Sequence, residues 1–184
     1  MQFKDRIRIM NNMYCLAVND VPVLPADPAG RLEKFEKTLS AEVAEIHEII
    51  RAIRDPFSDA ARDHVASAYG LDAKNASHQD QIDAICRSES MMRVVAMVAI
   101  ADLLSDITVY CRSEAMKFGL PLEEMLDIVM DSNESKLGPD GQPIYDENKK
   151  FMKGPNYWKP EPKMREVIEL LGSGDDVVPQ GDWS

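Results

Sequence analysis

The stretch from Val94 to Tyr110, VVAMVAIADLLSDITVY, constrains this chain more than any other. Only Asp102, Ser105, Asp106 and Thr108 interrupt an apolar run with helical character, and such a helix should be buried nearly all round. Asp102 and Asp106 are four residues apart and share a face. A second stretch has the same contradiction. An apolar stripe at alternating three- and four-residue spacing runs Leu32, Phe35, Leu39, Ile46, Ile49, Ile53. Glu42 falls on it between Leu39 and Ile46, where a leucine would be unremarkable. Glu45 and Glu48 follow at three-residue steps on a slowly rotating adjacent face.

A buried carboxylate without a partner costs several kcal/mol. Two helices that both carry such groups point to a shared partner. Lysine and arginine are scarce beside these acids, whereas a hard divalent cation, Mg²⁺ or Mn²⁺, takes oxygen ligands, keeps waters and binds phosphates. The plainer alternative puts Glu45 and Glu48 on a solvated face and makes Asp102 and Asp106 a polar strip.

The chain's 184 residues suit one domain with a real core, here expected over 1–171 with a flexible tail over 172–184. A net charge of −11 argues against a nucleic-acid partner or a polybasic membrane protein. No run of about 18 uninterrupted apolar residues predicts a transmembrane helix, and MQFKDRIRIM lacks a signal-peptide core. Cys15, Cys86 and Cys111 are odd in number and without CxxC spacing. They fit reduced thiols and a cytoplasmic protein.

Along the chain, residues 5–18 read as a short amphipathic helix with Ile9, Met13 and Leu16 on one side. Pro22, Pro25, Pro28 and Gly30 mark a loop. The first acidic helix covers about 31–54 and stops at Asp55-Pro56. A helix over 58–69 is capped by Gly70, and a turn or cap follows around Asn75. A long helix from about 79 to 118, with a break near Arg87–Ser90, ends at Gly119. Pro121 opens the next helix, 121–132, as its first residue. Beyond it Gly138-Pro-Asp-Gly141 is a turn signal, then comes an irregular hairpin and loop, and Met164 to Leu171 form a last short helix. The fold class is therefore all-α, with an irregular C-terminal loop extension.

Residues 131–165 hold seven Lys/Arg against six Asp/Glu, in a chain that is otherwise strongly acidic. Lys136, Lys153, Lys159 and Lys163 could meet an anion as mobile point charges. Asn133 could fix a sugar hydroxyl or a base edge, and Tyr157 and Trp158 could stack or wall a pocket. The same residues could equally serve to order the loop.

These motifs together resemble a known family. Leu39-Ser-Ala-Glu42-x-x-Glu45-Ile is similar to the ExxE helix of the all-α nucleoside triphosphate pyrophosphohydrolases, which include MazG-like enzymes, dimeric dUTPases and phosphoribosyl-ATP pyrophosphohydrolase. Asp102-xxx-Asp106-Ile resembles their second acidic motif. Ser132-Asn-Glu-Ser-Lys136-Leu, Asp140-Gly-Gln-Pro-Ile and Lys153-Gly-Pro-Asn-Tyr157 resemble the "SNxSKL…DGxPI…KGPNY" ending of a phosphoribosyl-ATP-pyrophosphohydrolase-like branch often found in bacteria and phages. The resemblance covers about 32–165. It implies a helical bundle, a homodimer or homotetramer, and Mg²⁺-dependent cleavage of a nucleoside triphosphate to the monophosphate and pyrophosphate. It implies Glu42, Glu45 and Asp106 as metal ligands, with Asp102 as the other acid of the second motif; Glu42 and Glu45 are then the expected catalytic carboxylates, and Asn133, Lys136, Lys153, Tyr157 and Lys159 the expected substrate contacts. Ala41 stands where relatives often have a second adjacent Glu, which makes Glu48 a reserve ligand. The second motif is DxxxD where many relatives have ExxD, and the gap from 49 to 98 suggests an inserted helix pair. The expected function is nucleotide-pool pyrophosphohydrolysis. Two alternatives stand beside it: phosphoribosyl-ATP cleavage, and a non-catalytic helical dimer that binds a nucleotide or serves as a scaffold.

Overall fold

A computed structural model describes residues 1–172. The protein is all-α: seven helices and one two-stranded hairpin make up the described residues. In chain order these are α1 (Phe3–Met13), α2 (Pro28–Arg54), α3 (Asp59–Tyr69), α4 (Ala76–Cys86), α5 (Glu89–Lys117), α6 (Leu122–Glu134), β1 (Ile144–Tyr145), β2 (Phe151–Met152) and α7 (Glu161–Gly172). All of the expected tail except Gly172 lies outside the described residues.

The helix ends follow local chemistry. α2 stops at Arg54, before Asp55-Pro56. Ser58 Oγ caps α3 by accepting from the Ala61 N–H at 3.2 Å, and Gly70, at φ 64°, closes it in the left-handed region that glycine enters freely. Asn75 caps α4. The expected break lies at Arg87-Ser88, so the long helix predicted from 79 to 118 is two helices. Pro121 occupies the cap position before α6, not its first turn.

The chain clusters into two compact units, Leu32–Cys111 and a second made of Met1–Arg31 with the described chain from Arg112 on. In the Leu32–Cys111 unit, Ile49 of α2 packs with Ala99 and Leu103 of α5, flanked by Ile46, Ile100 and Ile107. A larger cluster joins Val65 and Ala66 of α3, Ile82, Ile85 and Cys86 of α4, and Val95 of α5. Ala52 meets Ala60 and Ala61, small residues that let α2 and α3 come close.

In the other unit the buried contacts are largely polar. The Arg31 guanidinium makes two hydrogen bonds to the Glu114 carboxylate, and Lys117 Nζ lies 3.5 Å from the same carboxylate. Ser113 Oγ donates to Asn11 Oδ1 at 2.8 Å. These pairings satisfy charges and amides that would otherwise be buried at a cost.

Three burial expectations are corrected. In α1 the buried residues are Ile7 and Asn11, while Ile9 and Met13 are exposed; the polar Asn11 can be buried because Ser113, about a hundred residues away in sequence, donates to its amide oxygen. On α2, Leu32 and Ile53 are exposed and Ala52 is buried. The 32–53 stripe keeps a seven-residue repeat, from which a straight helix drifts about 20° per heptad, so its ends turn off the packed face. Finally, α5 is not buried all round. Val95, Ala99 and Leu103 face the core, while Val94, Met97, Val98 and Leu104 are exposed. By length and composition α5 is apolar enough to cross a membrane, a test that core helices also pass.

Candidate active site

The acids of α2 and α5 lie within the Leu32–Cys111 unit. Ile46 of α2 and Ile107 of α5 both pack against the Ile49, Ala99 and Leu103 cluster, and Glu42 feels the charges of both Asp106 and Asp102. Asp102 lines a cleft with Glu45 and Glu48, whereas Tyr110, further along α5, is under the influence of Glu42 and Glu45. The partners thus run in opposite order along the two helices, which places them antiparallel. Ser105 and Thr108, the other polar interruptions of α5, turn back to accept no outside partner: each hydroxyl donates to the carbonyl four residues earlier, at 2.7 Å.

Glu42 is the centre of this group. Its residue is 8% exposed, and Oε2 is buried with no hydrogen-bond partner among the described residues. Burial raises the Glu42 pKa above the usual carboxylate range, and the negative charges of Glu45, Asp106 and Asp102 raise it further, in that order. The Tyr110 phenol is also pushed up, first by burial and then by Asp106, Glu42 and Glu45. One negative field therefore covers both helices. Glu45 and Asp106 are half-buried and Asp102 is exposed; none of the three makes a hydrogen bond or ion pair among the described residues. Glu48 differs: it is half-buried too but accepts from Arg51 at 2.6 Å. Ala41 is exposed.

The cleft beside these acids has a volume of about 500 Å³ and is lined by Glu45, Glu48, Asp63, His64 and Asp102, with Ser67 and small residues between. Asp63 and His64 belong to α3 and were not expected. Only the helical phase of α3 relative to α2 and α5 brings them there, a tertiary fact with no local signature.

A hard divalent cation fits the donor set. All the donors around Glu42 are carboxylate oxygens, and the orphaned Oε2 is a buried acceptor that a cation would satisfy. Among the described residues, no three Asp, Glu, His or Cys side chains stand gathered as a ready ligand set. Four like charges with no countercharge between them repel, and an ion would have to draw them together.

The expected substrate contacts lie in the other unit. The Lys136 ammonium donates to Asn133 Oδ1 and stands 6.0 Å from the Tyr157 ring centroid, with Lys153 Nζ over the same ring at 4.3 Å. Four of the five predicted residues thus form one cationic group around Tyr157. Lys159 is exposed; Lys163 takes the comparable position over Trp158, at 3.8 Å. The scaffold is a stitch between the two sequence motifs. Gly154 N–H donates to the Lys136 carbonyl at 2.8 Å. Ser132 Oγ donates to the Trp158 carbonyl at 2.9 Å, and the Trp158 N–H donates to Ser135 Oγ at 3.2 Å. A Cβ on residue 154 would lie 2.2 Å from the Leu137 carbonyl oxygen, so only glycine permits the approach.

No family model and no curated protein matches the chain. Among solved structures, the chain is similar to the crystal structure of a "putative NTP pyrophosphohydrolase" from Exiguobacterium sp. 255-15, at 23% identity and a TM-score of 0.42, over 94% of this chain and 98% of the other.

Proposed function

We propose that the Leu32–Cys111 unit carries the centre of a divalent-cation-dependent nucleoside triphosphate pyrophosphohydrolase, which cleaves a (deoxy)nucleoside triphosphate to the monophosphate and pyrophosphate. The observation that carries this reading is the buried, unpartnered Glu42 Oε2 in the shared field of Glu45, Asp102 and Asp106. Folding does not place a carboxylate there for stability, since an unsatisfied buried acceptor costs about 1–3 kcal/mol or more. The acidic motifs and the SNESKL…DGQPI…KGPNY ending, which resemble those of the all-α pyrophosphohydrolases, point the same way.

Glu42, Glu45, Asp102 and Asp106 would hold Mg²⁺ or Mn²⁺, with Glu48 joining them on release from Arg51. Such an ion supplies charge neutralisation on phosphate oxygens and a water of lowered pKa. Glu45, half-buried and unpaired, orients the attacking water and takes its proton. The water oxygen forms the new bond to phosphorus, and the bridging anhydride oxygen leaves with the electron pair of the broken bond. Glu42 would offer its buried Oε2 to the ion as a ligand oxygen. The cationic group of Lys136, Lys153, Asn133 and Tyr157, with Lys159 nearby in sequence, is proposed as a phosphate-binding group of the other unit. The exposed apolar stripe of α5 supports assembly as a homodimer or homotetramer.

A second reading, a non-catalytic nucleotide-binding module, is favoured by one observation: the carboxylates are not gathered as a ligand set. A panel of (d)NTPs with and without Mg²⁺, scored separately for pyrophosphate and monophosphate, decides between them. Metal-dependent release of pyrophosphate with the monophosphate is expected. Release of orthophosphate and diphosphate, or no release, overturns the proposal.

A further inference from the structure

The Leu32–Cys111 unit has a second hollow that the carboxylates do not use. Its volume is about 450 Å³, within the usual size of small-molecule sites, about 300–1,000 Å³. Ile49 and Ile53 of α2 and Met92, Val95 and Ala96 of α5 make apolar walls, and Phe57 stands at one side. The floor is firm, since Val95 belongs to the fully buried cluster of α3, α4 and α5. Charged groups are confined to the lining contributed by Arg87, Glu89 and Arg93, where Arg93 is held by Glu89 at 2.6 Å and Arg87 lies 3.8 Å from Asp83.

Two residues, His64 and Ala99, line both this cavity and the acidic cleft. The two hollows are therefore neighbours with a common wall. His64 is half-buried and makes no hydrogen bond or ion pair among the described residues. Its imidazole is free to donate or accept at the boundary.

The two compartments differ in chemistry as the two ends of a nucleotide differ. A triphosphate needs the cleft, where carboxylates can hold a neutralising cation. A nucleobase is planar, uncharged and largely apolar on its faces, with polar edges. The cavity offers apolar walls, an aromatic ring that is 62% exposed and so open to stacking, and guanidinium and carboxylate groups able to pair with base edges. We propose that this cavity takes the nucleobase of the triphosphate whose phosphates occupy the neighbouring acidic cleft, with His64 at the sugar-phosphate joint. The assignment rests on the function proposed above. It gives α3 and α4 a role, since Phe57, His64, Cys86 and Arg87 come from the segment that joins α2 to α5.

The test uses the full chain and two variants. Ala96→Phe fills the cavity from α5, and Phe57→Ala removes an exposed ring whose loss cannot empty a core. With Mg²⁺ and the preferred (d)NTP, each variant should raise KM by about tenfold, the scale of one base–aromatic stack. Inorganic tripolyphosphate, which has the phosphates and no base, should inhibit parent and variants at the same concentrations. An unchanged KM in both variants, or an equal weakening of tripolyphosphate inhibition, overturns the proposal. So does a change of oligomeric state by sedimentation with KM unchanged, which would make a second copy of the chain the occupant. If the parent releases no pyrophosphate from any triphosphate, the proposed reaction has failed on its own account. Calorimetric titration with the free nucleosides then decides the cavity: saturable binding by the parent that both variants lose sustains it, and no binding by the parent refutes it.

Discussion

Glu42→Leu should stabilise the metal-free protein. Leucine continues the stripe between Leu39 and Ile46, replaces the unpartnered Oε2 with apolar atoms and removes one of four mutually repelling charges. The buried orphan is worth about 1–3 kcal/mol. At about 2–4 °C per kcal/mol for a chain of this size, Tm should rise by roughly 2–12 °C near pH 8 in the presence of a chelator. The gain must depend on pH. Because the folded-state pKa of Glu42 is raised above its ordinary 4.5, the folded protein binds more protons than the unfolded one above that pH. The contribution of Glu42 to stability is thus fully present below about 4.5 and is lost as pH rises through the raised value. Near pH 5 parent and variant should therefore lie closer together than near pH 8. Magnesium should stabilise the parent, by about 2.7 kcal/mol at a hundred times its Kd, and the variant much less. Differential scanning calorimetry at the two pH values, with chelator and with Mg²⁺, makes all three comparisons. A variant less stable than its parent near pH 8 without metal, or a gain independent of pH, would refute the reasoning.

Glu45→Gln should leave helicity unchanged by circular dichroism and reduce Mg²⁺-dependent pyrophosphate release by at least about a hundredfold, the effect of losing one preorganised electrostatic group; near-parent turnover would make Glu45 a solvated surface residue. Arg31→Ala leaves the buried Glu114 without its guanidinium and should cost about 3–5 kcal/mol, read as a fall in Tm of roughly 6–20 °C. Gly154→Ala forces a methyl group against the Leu137 carbonyl and should cost about 1–3 kcal/mol, with faster limited proteolysis between 133 and 158 as the measurement.

The helices were legible because proline, glycine and small polar residues punctuate them: Asp55-Pro56, Ser58, Gly70 and Asn75 all stand at observed ends. Glu42 was legible for the same reason that it is costly, as an acid on an otherwise apolar stripe. What could not be read depends on partners distant in sequence. Asn11 looks like a surface residue until Ser113 is beside it. Asp63 and His64 look like the solvated face of an ordinary short helix until α3 is docked beside α2 and α5. The hydropathy of α5 says that its sides avoid water, but Met97 and Leu104 are left exposed in the single chain; composition carries no information on whether cover comes from the same chain. The tight approach at Gly154 was written in the motif, yet its reason, a backbone hydrogen bond to Lys136, needs the fold.

The position of Cys86 has a kinetic consequence. Cys15 and Cys111 are exposed, whereas Cys86 is buried in the α3–α4–α5 cluster, and burial raises its thiol pKa, so it is short of the reactive thiolate as well as of access. Alkylation with iodoacetamide should therefore run in two phases. The slow one reports how often the end of α4 leaves its packing, a local opening free energy obtained without denaturant. Because Cys86 also borders the apolar cavity, any molecule lodged there should lengthen that slow phase, and the native thiol becomes a clock for the motion of the α3–α4 pair.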